Sequence, residues 1–172
     1  MNYHDIRPCD LVNGEGVRCV LWVSGCIHQC KGCFNEKTWN IKSGIEFDEQ
    51  AEKEIFKALS SPYCSGLTLS GGDPFHPNNY GTLIRLCKEV KFLFPDKTIW
   101  IYSGFTFEYL ISDPNRVELL KLCDVLIDGK FEIDKFSKKL NYRGSSNQRI
   151  IKVQESLNSG KAVLHELNNT IN

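Results

Sequence analysis

One pattern restricts the possible folds more than any other: short apolar runs, each stopped by glycine, alternate with stretches of helical periodicity. The first run, Val17 to Val23, follows the turn-like Asn13-Gly14-Glu15-Gly16 and ends at Ser24-Gly25. A helix is then expected from an N-cap at Asp48, with Ala51, Ile55, Ala58 and Leu59 on one side, ending near Ser60-Ser61-Pro62. Leu67 to Ser70 reads as a second strand stopped by Gly71-Gly72. Leu83, Leu86, Cys87, Val90 and Leu93 mark the next helix, which ends near Pro95. Thr98 to Tyr102 is a third strand closed by Ser103-Gly104. Helical material through Phe107–Leu110 and Pro114–Leu122 leads to a fourth, Val125 to Ile127, closed by Asp128-Gly129. Beyond Lys130 the pattern thins. Arg149 to Val153 is expected as a fifth strand, and Gln154 to Leu167 as a helix with Gly160 as its weak point.

Strands taking turns with helices predict an α/β fold: a parallel sheet with flanking helices and right-handed crossovers, with the chemistry at the carboxyl ends of the strands. The loops at Gly25, Gly71-Gly72, Ser103-Gly104 and Asp128-Gly129 would all meet there. At 172 residues the chain is short for a closed eight-stranded barrel, which takes about 250 residues. An open partial (βα) barrel is therefore expected, as a single domain over 1–172 in which the segment from about 149 has no assigned role. Its open side would admit part of a macromolecule. Lys plus Arg and Asp plus Glu number 21 each, so no global field draws the chain to nucleic acid or to an anionic membrane, and neither partner is expected. Met1-Asn2-Tyr3-His4-Asp5 lacks a basic region followed by an apolar run, and charges interrupt the later apolar stretches. A cytoplasmic protein is expected.

In such a compartment the eight cysteines point to metal ligation, catalysis or burial rather than to disulfides. Their distribution separates them. Cys9, Cys19, Cys64, Cys87 and Cys123 are scattered, as small core residues or bystanders would be, whereas Cys26, Cys30 and Cys33 share one short loop after the first strand. Thiolates suit iron–sulfur clusters and zinc alike. Structural zinc needs four ligands, usually as two separated pairs, and no second pair exists here, although His28 or Cys19 would be available as a fourth ligand. A three-cysteine loop suits a four-iron cluster with one iron left open.

The spacing C-x-x-x-C-x-x-C, as Cys26-Ile27-His28-Gln29-Cys30-Lys31-Gly32-Cys33, resembles the cluster motif of the radical S-adenosylmethionine superfamily. Further matches are Asn2-Tyr3, Val12-Asn13-Gly14-x-Gly16-x-Arg18, Val23-Ser24-Gly25-Cys26 and Gly32-Cys33-Phe34-Asn35. Thr38-Trp39, Leu69-Ser70-Gly71-Gly72-Asp73-Pro74, His76-Pro77, Ile99-Trp100, Asp128-Gly129-Lys130 and Arg143-Gly144-Ser145-Ser146-Asn147-Gln148 continue them. Together they resemble the activators of anaerobic ribonucleoside-triphosphate reductase as far as about Gln148. Two departures stand out. Gly32, not an aromatic, precedes the third cysteine, which separates the chain from the formate-lyase activators, and Glu15 replaces the usual proline of Asn-Gly-Pro-Gly.

The resemblance implies a 4Fe-4S cluster held by Cys26, Cys30 and Cys33, its fourth iron chelating S-adenosylmethionine. It also implies reductive cleavage of that cofactor to a 5′-deoxyadenosyl radical, oxidoreductase chemistry that leaves a glycyl radical on the large subunit of the anaerobic reductase. An electron donor such as flavodoxin is implied with it. Gly71, Gly72 and Asp73 match the segment that meets the methionine ammonium, although taken alone they would read as an ordinary turn. Gly32 and Phe34, beside Cys33, would flank the adenine unless they serve only loop packing. Asp128 and Ser103 would bond cofactor, with turn chemistry as the alternative. Arg143 and Asn147 lie in polar loop sequence facing cofactor, partner or solvent. Another small radical enzyme of the superfamily, such as a different glycyl-radical activase or a deazapurine synthase, remains an alternative, as does a zinc-binding interaction module.

Overall fold

All four glycine-stopped runs form strands of one sheet, and the helices between them pack on one of its faces. The computed structural model describes residues 1–169. In chain order the main elements are β1 (Asn2–Asp10), β2 (Val17–Val23), β3 (Ile45–Glu46), α1 (Glu49–Leu59), β4 (Cys64–Gly71) and α2 (Tyr80–Leu93). They continue with β5 (Thr98–Tyr102), α3 (Phe107–Leu110), α4 (Pro114–Leu120), β6 (Val125–Asp128), β7 (Arg149–Lys152) and α5 (Val153–Ser159). The sheet order is β3-β1-β2-β4-β5-β6-β7, and its two ends do not meet. This is the open partial (βα) barrel expected from the alternation and the small number of βα units. The strands β2, β4, β5 and β6 are mutually parallel, and each pair is separated by at least one helix, as a crossover needs.

The margins differ from the sequence expectation. β1 was not anticipated, because Asn2–Asp10 carries neither a period of two nor a β-branched run, and it contains Pro8. It pairs antiparallel with β2 through two register shifts, one of which spans Pro8; a shift of this kind accommodates a residue that cannot donate to a ladder. The expected fifth strand is present as β7, but it runs antiparallel to β6, since no crossover helix lies between Gly129 and Gln148. The expected helix from Gln154 to Leu167 stops at Ser159. Gly160 takes a left-handed φ of 70° and ends it, as glycine does at a helix C-terminus.

Helix α1 starts where Asp48 accepts a hydrogen bond from the Ala51 N–H at 2.9 Å, and it buries Ala51, Ile55 and Leu59 against the sheet. Full burial of each of the two larger side chains contributes about 1.5–3 kcal/mol. On α2, Leu83, Leu86, Cys87 and Val90 are buried as expected, whereas Leu93 at the helix end is half exposed. Cys19, Leu21, Val23, Leu67, Leu69, Ile99, Ile101 and Leu126 complete this core from the strands. Among the described residues no helix is long and apolar enough to cross a membrane.

Because side chains alternate along a strand, the neighbours of those core residues point to the opposite, concave face. There a smaller cluster forms around Trp100, Val125, Ile127 and Ile150. Arg18 lies fully buried beneath it. Its guanidinium donates to Thr68 Oγ1 at 2.6 Å, to Thr98 Oγ1 at 3.0 Å, and to the carbonyls of Leu67 and Thr98 at 2.7 and 2.9 Å, and it sits 5.3 Å from the Trp100 ring centre. These acceptors are neutral, so burial lowers the Arg18 pKa to about 10. The result is a clamp across β2, β4 and β5 at their amino ends, leaving the carboxyl ends free for the site.

Candidate functional site

The loop after β2 holds the three clustered cysteines, and its shape depends on backbone that only small or unusual residues adopt. Gly25 has a φ of 94°, and its N–H donates to the Thr38 carbonyl at 2.7 Å, while the Cys26 N–H donates to the Trp39 carbonyl at 3.0 Å. Gln29 also takes a left-handed φ, 45°. The Cys33 N–H donates to the Cys30 carbonyl at 3.1 Å, and the Asn35 N–H to Cys33 Sγ at 3.3 Å. Cys26, Cys30 and Cys33 all face one cavity of about 680 Å³ at the carboxyl ends of the strands. Their thiols are free, and burial raises the pKa of Cys30 and pushes that of Cys26 up to about 11. A metal bound by Cys26 and Cys30 must displace the protons that burial favours.

The turn after β4 interlocks with this loop. The Gly72 N–H donates to the Val23 carbonyl and the Asp73 N–H to the Gly25 carbonyl, both at 2.7 Å. A Cβ on Gly72 would lie 2.5 Å from the Gly25 oxygen, and one on Gly71 2.7 Å from the backbone N and O of Val23. Glycine is required here by contact between the two loops as well as by any ligand, and both residues line the cavity.

Asp73 and Ser103 also line it, but their polar atoms face each other. The buried Asp73 carboxylate accepts from His28 Nε2 at 2.8 Å, the Gly104 N–H at 3.0 Å, the Phe75 N–H at 2.9 Å and Ser103 Oγ at 3.1 Å. One side chain thereby ties together the loops after β2, β4 and β5. His28 is wedged against Phe105, with ring centres 4.4 Å apart. Asn79, wholly buried, adds to the knot by donating to the carbonyls of Ser24 at 2.8 Å and Asp73 at 3.1 Å.

The remaining expected contacts divide. Phe34 lines the cavity, 68% exposed, and packs against Phe131 and Phe136 at centroid distances of 5.2 and 5.7 Å. Gly32 lies outside the cavity lining and packs toward Ile133, which a Cβ would approach to 3.1 Å. Asp128 is turned away too. Its carboxylate accepts from the Phe107 N–H at 2.7 Å and from Arg149 Nε at 2.9 Å, with a second bond from Arg149 Nη2, at the edge of a separate, shallower depression. Arg149 also holds Glu108, whose pKa falls through that hydrogen bond.

Several lining residues carry no signal in local sequence. Trp22, Ser70 and Tyr102 occupy the last inward positions of β2, β4 and β5. The parity opposite Leu21, Leu69 and Ile101 is the signal that would have found them. The buried Nε1 of Trp22 has no hydrogen-bond partner among the described residues, leaving a donor in the cavity wall. Phe131 and Phe136 come from an irregular segment with no periodicity to read.

As for a fourth zinc ligand, Cys19 is wholly buried on the helix-covered face and His28 is engaged by Asp73. Among the described residues no three His, Cys, Asp or Glu side chains converge tightly enough to hold a single ion. A mononuclear site would need every sulfur about 2.3 Å from one point. Three thiols facing one cavity of this size fit a multi-iron group.

Comparison with known proteins agrees. Residues 12–151 match the family model described as a 4Fe-4S single cluster domain. A relative from Pasteurella multocida is 48% identical over 152 residues, covering 87% of this chain and 96% of its own. One from Enterobacteria phage T4 is 49% identical over 150 residues, with 87% and 93% covered, and one from Escherichia coli K12 is 41% identical over 150 residues, with 86% and 96% covered. All three are named anaerobic ribonucleoside-triphosphate reductase-activating protein. With a cluster-sized thiol cavity and this likeness along most of its length, the chain belongs to the family of anaerobic ribonucleoside-triphosphate reductase-activating proteins.

Proposed function

We propose that this chain is a radical S-adenosylmethionine activase, a single domain over 1–172, that generates a glycyl radical on the large subunit of an anaerobic ribonucleoside-triphosphate reductase. The observation that carries the reading is the opening of the Cys26, Cys30 and Cys33 thiols and the Gly71-Gly72 turn onto one cavity. Bound there, a 4Fe-4S cluster with S-adenosylmethionine on its open iron would supply one electron to the sulfonium and release a 5′-deoxyadenosyl radical able to take hydrogen from a glycine Cα.

The residues of this chain do the rest. Cys26, Cys30 and Cys33 would hold the cluster through their sulfurs as thiolates. Gly71 and Gly72 let backbone approach the methionine end of the cofactor, and Phe34, grouped with Phe131 and Phe136, offers an aromatic surface to the adenine. Gly32 shapes the loop that presents Cys33 and Phe34. Asp73 and Ser103 bear on the cofactor by keeping three loops in register, and Asp128, through Arg149, steadies the end of β6. The open side of the half-barrel gives the partner's glycine a way in. The electron comes from a small donor such as flavodoxin. A reducing, cytoplasmic setting suits eight cysteines none of which is paired.

Anaerobic reconstitution with iron and sulfide, reduction, and mixing with S-adenosylmethionine and the reductase subunit test this reading. It requires a brown protein, 5′-deoxyadenosine, and a glycyl doublet in electron paramagnetic resonance. A colourless protein holding stoichiometric zinc would overturn it.

A further inference from the structure

We propose that the C-terminal turn Glu166–Asn168 is a positioning element of the cofactor cavity. Through Asn168 it sets the guanidinium of Arg143 in the cavity wall. This rests on the reading of the cavity given above and adds to it a segment lying beyond the matched family domain, which ends at residue 151.

Arg143 lines the cavity from the irregular segment between β6 and β7. Its backbone is held from one side. Tyr142, just before it, takes a left-handed φ of 50°, which a bulky residue adopts only under restraint, and Tyr102 Oη supplies that restraint by donating to the Tyr142 carbonyl at 2.7 Å. Gln148 Oε1 accepts from the Gly144 and Ser145 N–H groups at 2.9 and 3.1 Å.

The guanidinium is held from the other side, by the tail. Nη2 donates to the Asn168 carbonyl at 2.7 Å, Nη1 donates to Asn168 Oδ1, and the Gln148 carbonyl accepts more weakly from Nη1 at 3.4 Å. Asn168 is itself fixed to β7. Its Oδ1 accepts from the Ile150 N–H at 3.0 Å, and its amide nitrogen donates to the carbonyls of Ile150 and His165. The side-chain amide thus pairs with both polar backbone groups of Ile150, as a neighbouring strand would. The segment before it runs along the same edge, with the Lys152 N–H donating to the Val163 carbonyl at 2.9 Å and the His165 N–H to the Ile150 carbonyl at 2.8 Å.

Two features separate this from a tail that merely covers an edge. Every acceptor of the Arg143 guanidinium among the described residues is neutral, so none of those residues compensates its charge, and burial lowers its pKa. The buried Nε has no partner among the described residues. A cation fixed before the ligand arrives is suited to an anionic group such as the carboxylate of an amino-acid-bearing ligand. Fixing it in advance removes an ordering cost from binding.

The test uses cluster-loaded wild-type protein, Asn168→Ala, Arg143→Ala, the double variant and Asn168→Asp, which keeps an oxygen for Arg143. Equilibrium dialysis with S-adenosylmethionine, without reductant, should show about tenfold weaker binding for Asn168→Ala at unchanged iron content, with KM raised more than kcat is lowered. In the Arg143→Ala background the same change should add less than about twofold, and Asn168→Asp, whose carboxylate would compensate the guanidinium and cannot donate to the Ile150 carbonyl, should bind no better than Asn168→Ala. Native affinity in Asn168→Ala, or an equal loss in both backgrounds, overturns the proposal. Failure of wild type to bind would instead overturn the reading of the cavity. Hydrogen exchange in ligand-free protein then decides the positioning role: faster exchange at residues 142–145 in Asn168→Ala upholds it and unchanged exchange rejects it.

Discussion

The two faces of the central strands are made from the same stretches of chain and do opposite work. On the helix-covered face Cys19, Leu21, Leu67, Leu69, Ile99 and Ile101 are wholly buried and carry little polarity beyond the thiol of Cys19. On the concave face several of the residues between them, Arg18, Thr68, Ser70, Trp22 and Tyr102, are polar or amphipathic, and the buried Trp22 Nε1 has no partner among the described residues. The first face supplies stability through apolar area; the second keeps hydrogen-bonding capacity at some cost to stability, as ligand sites do. A period of two lets one strand serve both ends.

Three substitutions or conditions sharpen that contrast. The largest effect is expected on the concave side: Cys30→Ala should cut 5′-deoxyadenosine formation at least about a thousandfold, roughly 4 kcal/mol in barrier terms, while the urea midpoint of the metal-free protein stays close to wild type. Loss of folding together with activity would show that the two faces are not separable. On the other side Leu69→Ala should remove about 2–5 kcal/mol of stability in urea unfolding, because the wholly buried side chain leaves a cavity in the helix-covered core. At a temperature where the variant is folded its iron content should equal that of wild type, and a matching loss of iron would blur the division.

The smallest effect concerns pH. Burial holds the Cys26 thiol at about 11, above its ordinary 9.0. Below pH 9 folded and unfolded chains both carry that proton, so it does not affect stability. Between 9 and 11 the folded metal-free protein keeps a proton the unfolded chain has lost, and this group's contribution to stability falls as pH rises. Metal loading runs the other way. Each proton released should strengthen binding about tenfold per pH unit below pH 9, and chelator competition between pH 7 and 8 measures it. A flat profile would mean the cavity thiols are already ionised, unlike the thiols of Cys19 and Cys87, which burial drives to about 12 on the opposite face.

How much of this was legible depended on the range of the interaction. β2, β5 and β6 could be read because each is a run rich in β-branched or aromatic residues with a glycine stop, and β4 because Leu67 and Leu69 alternate with Thr68 and Ser70 before Gly71-Gly72. The helices could be read because Asp48 caps one and apolar residues recur at helical spacing in both α1 and α2. β1 could not be read, since its strand character comes from the ladder with β2 and not from its own residues. At the site, Cys26, Cys30 and Cys33 announce themselves by spacing. Asp73 also stood out, yet a carboxylate expected to meet a ligand is directed to His28, Ser103 and the Gly104 N–H. Ser103 shares that fate, and Asp128 is claimed by Arg149.

The amino-acid order alone determined the α/β alternation, the open half-barrel its length permits, and the three neighbouring thiols, because period, glycine stops and short spacings are local properties of a chain. Tertiary structure decided which carboxylates are spent on holding loops together, which aromatic rings face the cavity, and that Asn168 reaches Arg143 from outside the matched domain. Those outcomes depend on hydrogen bonds between residues tens of positions apart, whose partners exist only once the strands have been brought side by side.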